Sequence, residues 1–138
     1  MQAHSRTTET LTLTGAEFVA GRAQSRATMP ICVVVVNARG GVLFAKCDDA
    51  APPTAFEAAL LKARGAARSG IPTHQVAEFL KTLPAAIAQQ ALALPDVCAF
   101  QGGMPIKTAA GVIGGVGIAG GSGDQDVEIA THASRLAE

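Results

Sequence analysis

The sequence predicts an α+β domain with a five-stranded, mainly antiparallel sheet and helices packed on it. Short β-branched runs are separated by glycine-rich turns that cannot hold a crossover connection, so neighbouring strands should run antiparallel. Helical patterns around these runs give the order α-β-β-α-α-β-β-β-α. With 138 residues, 49% of them hydrophobic, the chain suffices for one domain. We expect residues 11–138 to form that domain and residues 1–10 to be a disordered tail.

The N-terminal third predicts a helix followed by a β-hairpin. Thr14 and Glu17 have the spacing of a capping box, which predicts a helix from Gly15 to Ala27. Ile31 to Val36 is a continuous apolar run, typical of a strand that is buried on both faces. Val42 to Cys47 follows after a glycine-containing turn, so the two runs should pair.

Prolines and glycines divide the central helical region. Thr54 and Glu57 form a second candidate capping box, and Gly70 is placed to end that helix. A third helical stretch begins near Thr73 and should be divided by Pro84. Helical spacing predicts the following core-facing residues for the second helix: Phe56, Leu60, Ala63 and Ala67.

Three short strands are predicted after this helical region, at Val97 to Gln101, Met104 to Thr108 and Val112 to Ala119. Gly115 to Gly120 matches the G-x-G-x-x-G pattern of dinucleotide sites, but here the glycines lie inside the strand rather than after it. Glycine on alternate positions leaves one strand face bare, open to close approach by a helix, a subunit or a flat ligand.

Composition excludes several classes of function. Eleven basic and eleven acidic residues cancel, and no basic cluster with aromatic residues is present, which argues against nucleic-acid binding. The longest apolar run, Ile31 to Val36, is too short for a membrane span, so we expect a cytoplasmic protein. Cys32, Cys47 and Cys98 are odd in number and widely spaced, which predicts buried thiols rather than disulfides or a zinc site.

The glycine-rich region resembles the signature of the GlcG/HbpS-like family, which includes the C-terminal domain of PduO-type proteins. The matching blocks are Phe100 to Ile106, Gly111 to Gly121 and Gly123 to Asp126, with weaker similarity at Val33 to Leu43 and Leu61 to Ala67. The resemblance implies a profilin-like fold, a homo-oligomer of at least two chains and, in several members, binding of haem or a related tetrapyrrole. It implies no known reaction.

Two departures from the family pattern bear on the ligand. Asn37 stands where members usually have Asp, which removes a charge at the end of the first strand. The predicted first helix contains no His, although some haem-binding relatives are thought to use one there.

Candidate site residues cluster around the start of the last helix. Ser122 and Gln125 form a third candidate capping box, which places Asp124 and Asp126 in the first helical turn. Lys62 could hold a carboxylate or form a structural ion pair. The predicted ligand-binding residues are Asn37, Lys62, Gly102, Gly103, Met104, Pro105, Gly120, Gly121, Asp124, Gln125 and Asp126. Candidates for iron ligation are His74 and His132.

These residues are compatible with more than one function. A small-molecule-binding protein, for haem or another tetrapyrrole, would serve a catabolic or stress pathway. A small catabolic enzyme, a lyase, isomerase or hydrolase of a carboxylated metabolite, would use Lys62 for binding and Asp124 or Asp126 as acid or base. A structural subunit of a neighbouring enzyme is a third alternative.

Overall fold

Helices pack on both faces of an antiparallel sheet in the computed structural model, which describes residues 3–136. The elements in chain order are α1 (Leu13–Arg26), β1 (Cys32–Asn37), β2 (Val42–Cys47), α2 (Ala55–Ser69), α3 (Thr73–Leu80), α4 (Ala85–Leu92), β3 (Gly103–Thr108), β4 (Gly111–Ala119) and α5 (Gly123–Ala133). The predicted α+β class is therefore confirmed.

The sheet has four strands in the order β2-β1-β4-β3, so the prediction of five is wrong. The predicted strand at Val97 to Gln101 is absent, since this segment packs beneath α2 instead of pairing with the edge strand β3. Cys98 is buried there against Gly65 of α2, where an added Cβ would lie 2.7 Å from the Cys98 Cβ. The apolar residues of this segment thus pack against a helix and do not form the hydrogen bonds of a β-ladder.

Alternation along the two central strands divides the core between the faces of the sheet. Val33, Val35, Val116 and Ile118 pack with α1 and α5, while Val34 and Val36 pack with α2. The strand buried on both faces was correctly predicted, because all of residues 32–36 are buried. β1 and β4 therefore anchor every helix that surrounds the site.

The bare glycine face of β4 is occupied by α2. A Cβ on Gly117 would collide with the Ala59 carbonyl oxygen, and one on Gly115 would collide with that of Ala63. Of the three partners predicted for this face, the helix is therefore the one observed, and no room remains on it for a flat ligand. The same contact rotates α2, so that Ala55, Ala59 and Ala63 face the sheet while Phe56 is 38% exposed.

Local signals placed the helix ends well, with two corrections. α1 is capped by the Thr12 side chain, which accepts a hydrogen bond from Gly15 N at 3.1 Å, and not by Thr14. Thr54 precedes α2 but makes no side-chain capping bond. Gly70 ends α2 with a left-handed φ of 76°, and Pro84 separates α3 from α4, as predicted.

Two cysteines are joined rather than free. Cys32 and Cys47 lie opposite each other in the β1–β2 register and form a disulfide, which corrects the prediction of three buried thiols. Only Cys98 is a buried free thiol within residues 3–136, and burial raises its pKa. The predicted hairpin already brought Cys32 and Cys47 close together, but the odd number of cysteines favoured free thiols.

Faces rich in Ala and Gly, and Leu61 on the second helix, are the sequence features that could support the expected homo-oligomer. The Ala face of α2 is instead buried against β4 within the chain, while Leu61 is half-buried. A dimer stays a prediction, but the buried Ala face of α2 cannot form its interface. No helix within residues 3–136 is long and apolar enough to cross a membrane.

Candidate functional site

A buried ion pair lies where α2 meets the start of α5. Lys62 Nζ donates to Asp126 Oδ2 at 3.2 Å and to the Ile118 carbonyl oxygen, at the end of β4, at 2.8 Å. The whole-residue exposure is 6% for Lys62 and 3% for Asp126. Charged groups are buried this deeply almost only when they are paired. Of the two readings of Lys62, the structure supports an ion pair within the chain.

Asp126 is held by the turn that opens α5. Its second oxygen, Oδ1, accepts a hydrogen bond from Gly121 N at 3.0 Å. The capping box predicted here is present, because Gln125 N donates to the Ser122 hydroxyl and Ser122 N donates to the Gln125 side chain. Gln125 therefore orients the first turn, and that turn aims Asp126 inward.

The backbone at Gly102 lies directly against the Lys62–Asp126 ion pair. Its φ is 117°, in the region that disfavours side chains, and an added Cβ would lie 3.1 Å from Lys62 Nζ and 2.8 Å from the Asp126 Cβ. Gly103 packs against the Lys62 carbonyl, and its N–H donates to the buried Thr73 hydroxyl at 2.9 Å. These glycines let the chain pass directly over the ion pair.

An open cleft of about 310 Å³ leads from solvent to this pair. Phe100 stands at it with 63% of its surface exposed, and Gln101 lies beside it and donates to Asp124 Oδ1 at 3.2 Å. The other residues that line the cleft are Ala58, Lys62, Gly121, Gly123 and Asp126. The cleft thus combines an exposed aromatic ring, a polar amide and a buried charge pair.

The electrostatics of the cleft centre on Asp126. Burial raises the pKa of its carboxyl, while the Lys62 charge and the Gly121 N–H act in the opposite direction. A carboxyl whose pKa is moved towards neutrality can exchange a proton with a bound molecule. Asp124 is exposed at the rim, so the two acidic residues of this turn have different environments.

The structure brings only part of the predicted site together. Lys62, Gly102, Gly121 and Asp126 meet at the pair, and Asp124 lies beside the cleft. Gly120 lies against Pro30 rather than in the cleft. Met104 packs with the core on the α1 and α5 side, and Pro105 is buried in β3.

Asn37 lies in the hairpin turn, remote from the pair. Its Oδ1 accepts hydrogen bonds from Arg39 N at 2.9 Å and Gly41 N at 3.0 Å. Its role in the structure is therefore to close the β1–β2 turn.

Neither candidate iron ligand lines the cleft. His74 is the second residue of α3, and its Nδ1 is buried without a hydrogen-bond partner in residues 3–136. His132 is half-buried near the end of α5, and its carbonyl oxygen accepts from Arg22. The described part of the chain holds no group of three His, Cys, Asp or Glu side chains arranged for a metal ion.

Sequence reasoning missed Phe100 and Thr73 as site residues. Phe100 belongs to the family-like block Phe100 to Ile106, and an aromatic residue just before Gly102 and Gly103 was the signal that the sequence offered. Thr73 was predicted only as the start of a helical stretch, but it is fully buried, and its hydroxyl accepts a hydrogen bond from Gly103 N. The packing of α3 on β3 could not be read from the sequence, so neither could this contact.

Together the helices and the sheet form an α+β protein with an open cleft at the junction of α2, β4 and α5. The model of the family described as "Haem degrading protein HbpS-like" matches residues 10–135. The chain belongs to this family, which confirms the resemblance. No curated protein sequence matches the chain significantly.

Solved structures agree with this assignment. ORFY from Klebsiella pneumoniae superposes with a TM-score of 0.89 at 25% identity, covering 99% of this chain and 96% of that one. A double mutant of HbpS from Streptomyces reticuli gives 0.85 at 27% identity, with coverage of 97% and 91%. A PduOC:heme complex gives 0.82 at 27% identity, with coverage of 93% and 95%.

Proposed function

We propose that this protein binds a planar, carboxylate-bearing small molecule, haem or another tetrapyrrole, in the Phe100 cleft. The observation that carries the proposal is the exposed Phe100 ring beside the buried Lys62–Asp126 pair. An aromatic face offers stacking area, and a few polar groups then fix the orientation of the ligand. The family and the haem complex of a similar structure support a tetrapyrrole as the first ligand to test.

The described residues of the cleft offer groups that can contact the ring and the carboxylates of a macrocycle, but none that would ligate its iron. Its lining contains no His, Cys or Met within residues 3–136, so these residues supply no axial ligand. Lys62 retains one ammonium hydrogen beyond its two bonds, and Gln101 offers an amide, so both can bind carboxylate oxygens. Binding through these groups does not need the metal.

Titration with hemin and with metal-free protoporphyrin IX tests this proposal. We expect both to bind saturably, seen as a shifted Soret band, and Phe100→Ala to weaken both. Phe79→Ala is the matched control, because Phe79 is 59% exposed on α3 and does not line the cleft. The proposal fails if neither compound saturates, or if the two substitutions weaken binding equally.

A second candidate, catalysis on a carboxylated metabolite, is favoured by the raised pKa of Asp126 beside Lys62. In that case Asp126 is the acid or base and Lys62 the binding group, while exposed Asp124 is dispensable. Small hydroxy- and oxo-carboxylates such as malate and pyruvate are the first compounds to test, with proton NMR following the appearance of a product. Asp126→Asn should abolish a conversion that Asp124→Asn leaves intact; equal rates with and without protein would exclude this activity for the compound tested.

A further inference from the structure

A second cleft lies at the opposite end of β4 from the Phe100 cleft. It has a volume of about 590 Å³ and is formed by residues 6–10, the β1–β2 turn and the β3–β4 turn. Val112 lines this cleft, whereas Ile118 reaches the Lys62–Asp126 pair. Val112 and Ile118 are six residues apart along this extended strand, a distance of roughly 20 Å. The two clefts are therefore independent sites.

Positive charge concentrates at this second cleft. Arg6 and Arg39 line it, both exposed, and neither guanidinium has a hydrogen-bond or ion-pair partner among residues 3–136. Arg64 Nε donates to the Gly40 carbonyl at 2.9 Å, and Arg68 Nη2 donates to the Arg39 carbonyl at 3.2 Å. Four arginines thus surround one turn in a chain whose formal net charge is zero.

The acidic residues nearby are engaged elsewhere. Glu9 lines the cleft, but its Oε1 accepts a hydrogen bond from the Thr108 hydroxyl at 3.1 Å. Asp96 pairs with Arg68 Nε at 3.2 Å. Neither carboxylate bonds to Arg6 or Arg39, so Glu9 adds one negative charge to the cleft without pairing with either guanidinium.

Hydroxyl and amide donors complete the lining. The Thr10 hydroxyl oxygen accepts from Ala38 N at 3.1 Å, which leaves its proton to be donated, and Thr7 and Thr8 add two more hydroxyls. Asn37 uses its Oδ1 within the turn, so its Nδ2 hydrogens are available. An Asp at this position would instead present a carboxylate to the arginines.

We propose that this cleft binds a small polyanion with phosphate or carboxylate oxygens, held by Arg6 and Arg39. The planar guanidinium matches such oxyanions with two parallel hydrogen bonds, and two guanidiniums favour a ligand with more than one negative charge. The threonine hydroxyls and Asn37 Nδ2 supply the neutral donors that such a ligand accepts from. This site does not depend on the haem proposal.

Calorimetric titration at low ionic strength tests the site, with inorganic pyrophosphate as the phosphate probe and citrate as the carboxylate probe. We expect one equivalent of at least one anion to bind per chain. Arg39→Gln and Arg6→Gln should each weaken binding about tenfold, the loss of one charge-assisted hydrogen-bonding group. Arg135→Gln is the matched control, because it removes the same charge from an exposed position on another surface.

Amide chemical shifts locate the bound anion independently of affinity. Binding at the proposed site should move the resonances of Thr7, Thr8 and Ala38 and leave those of Phe100 and Gln101 unchanged. Absence of binding for both anions overturns the proposal. So does an equal loss of affinity in Arg135→Gln, which would indicate diffuse attraction, or shifts confined to the Phe100 cleft.

Discussion

Lys62 and Asp126 are 64 residues apart in the chain, yet their Nζ and Oδ2 atoms lie 3.2 Å apart beneath the Phe100 cleft. Lys62→Met should leave a buried carboxylate without its partner, and removing one member of such a pair costs about 3–5 kcal/mol of unfolding free energy. Urea denaturation measures the loss.

A surface pair provides the control for this substitution. Arg26 and Glu128 make a contact of 2.7 Å, but both side chains are about half exposed. Glu128→Gln should change stability little, since solvent screens exposed pairs. If Lys62→Met proved as mild as Glu128→Gln, the Lys62–Asp126 pair would not be a structural element of the fold.

The Asp126 carboxyl should titrate above its ordinary value. Burial raises its pKa in the folded state, so the folded chain binds this proton more tightly than the unfolded chain does. Its contribution to stability is therefore fully present below the unfolded pKa of about 3.9 and is lost as pH rises through the folded pKa. Carboxyl carbon chemical shifts followed against pH give the folded value directly.

Lys62→Met provides a directional check on that titration. Because the Lys62 charge lowers the pKa of Asp126 while burial raises it, removing the charge should raise the pKa further. Asp126→Asn should lack this component of the pH dependence of stability. A value for Asp126 below that of an exposed aspartate would contradict the prediction.

Local structure could be predicted from the sequence more completely than tertiary contacts could. The sequence correctly predicted the left-handed Gly70, the dividing Pro84 and the Ser122–Gln125 capping box. Each of these features depends only on residues that are close in sequence. The Lys62 and Asp126 positions were predicted as candidates, but their contact was not, because it depends on how α2 packs on β4. Sequence patterns do not specify that distance.

Two of the incorrect predictions, for Phe56 and for Val97 to Gln101, share the same origin. Phe56 has the right helical spacing for the core, but the glycine face of β4 admits only small residues such as Ala59. Val97 to Gln101 has strand-like composition, but Cys98 packs against α2 at Gly65, where the missing side chain leaves room for it. In both cases close packing against α2 determined the outcome, and periodicity within a single segment does not report on it.

Gly117→Ala should destabilise the protein severely. Its Cβ would meet the backbone of α2 at Ala59, and neither the central strand nor the helix can move without disturbing the core. Overpacking of this kind costs about 1–3 kcal/mol or more. The measurement is the midpoint of thermal unfolding followed by circular dichroism.

Gly21→Ala should have the opposite sign. Gly21 lies inside α1, and an added Cβ would have no neighbour within 4 Å. Replacing an exposed helical glycine with alanine stabilises by about 0.5–1 kcal/mol. If the two substitutions had similar effects, close approach of α2 to β4 would not be the reason for glycine at 117.

Cysteine accessibility tests the Cys32–Cys47 disulfide. Under denaturing, non-reducing conditions the purified chain should release one titratable thiol, from Cys98, and three after reduction. Three thiols without reductant would contradict the disulfide. The cytoplasmic location stays a prediction.

Loss of the disulfide should weaken the hairpin that carries the edge strand β2. It closes a loop with a sequence separation of 15 residues, for which the chain-entropy estimate is roughly 3 kcal/mol. Cys47→Ser should therefore lower the unfolding free energy of the oxidised protein by a few kcal/mol. Dithiothreitol should lower that of the wild type by a similar amount and leave Cys47→Ser unchanged, because the variant has no bond left to reduce. A reductant effect of equal size in both proteins would place the sensitivity elsewhere in the chain.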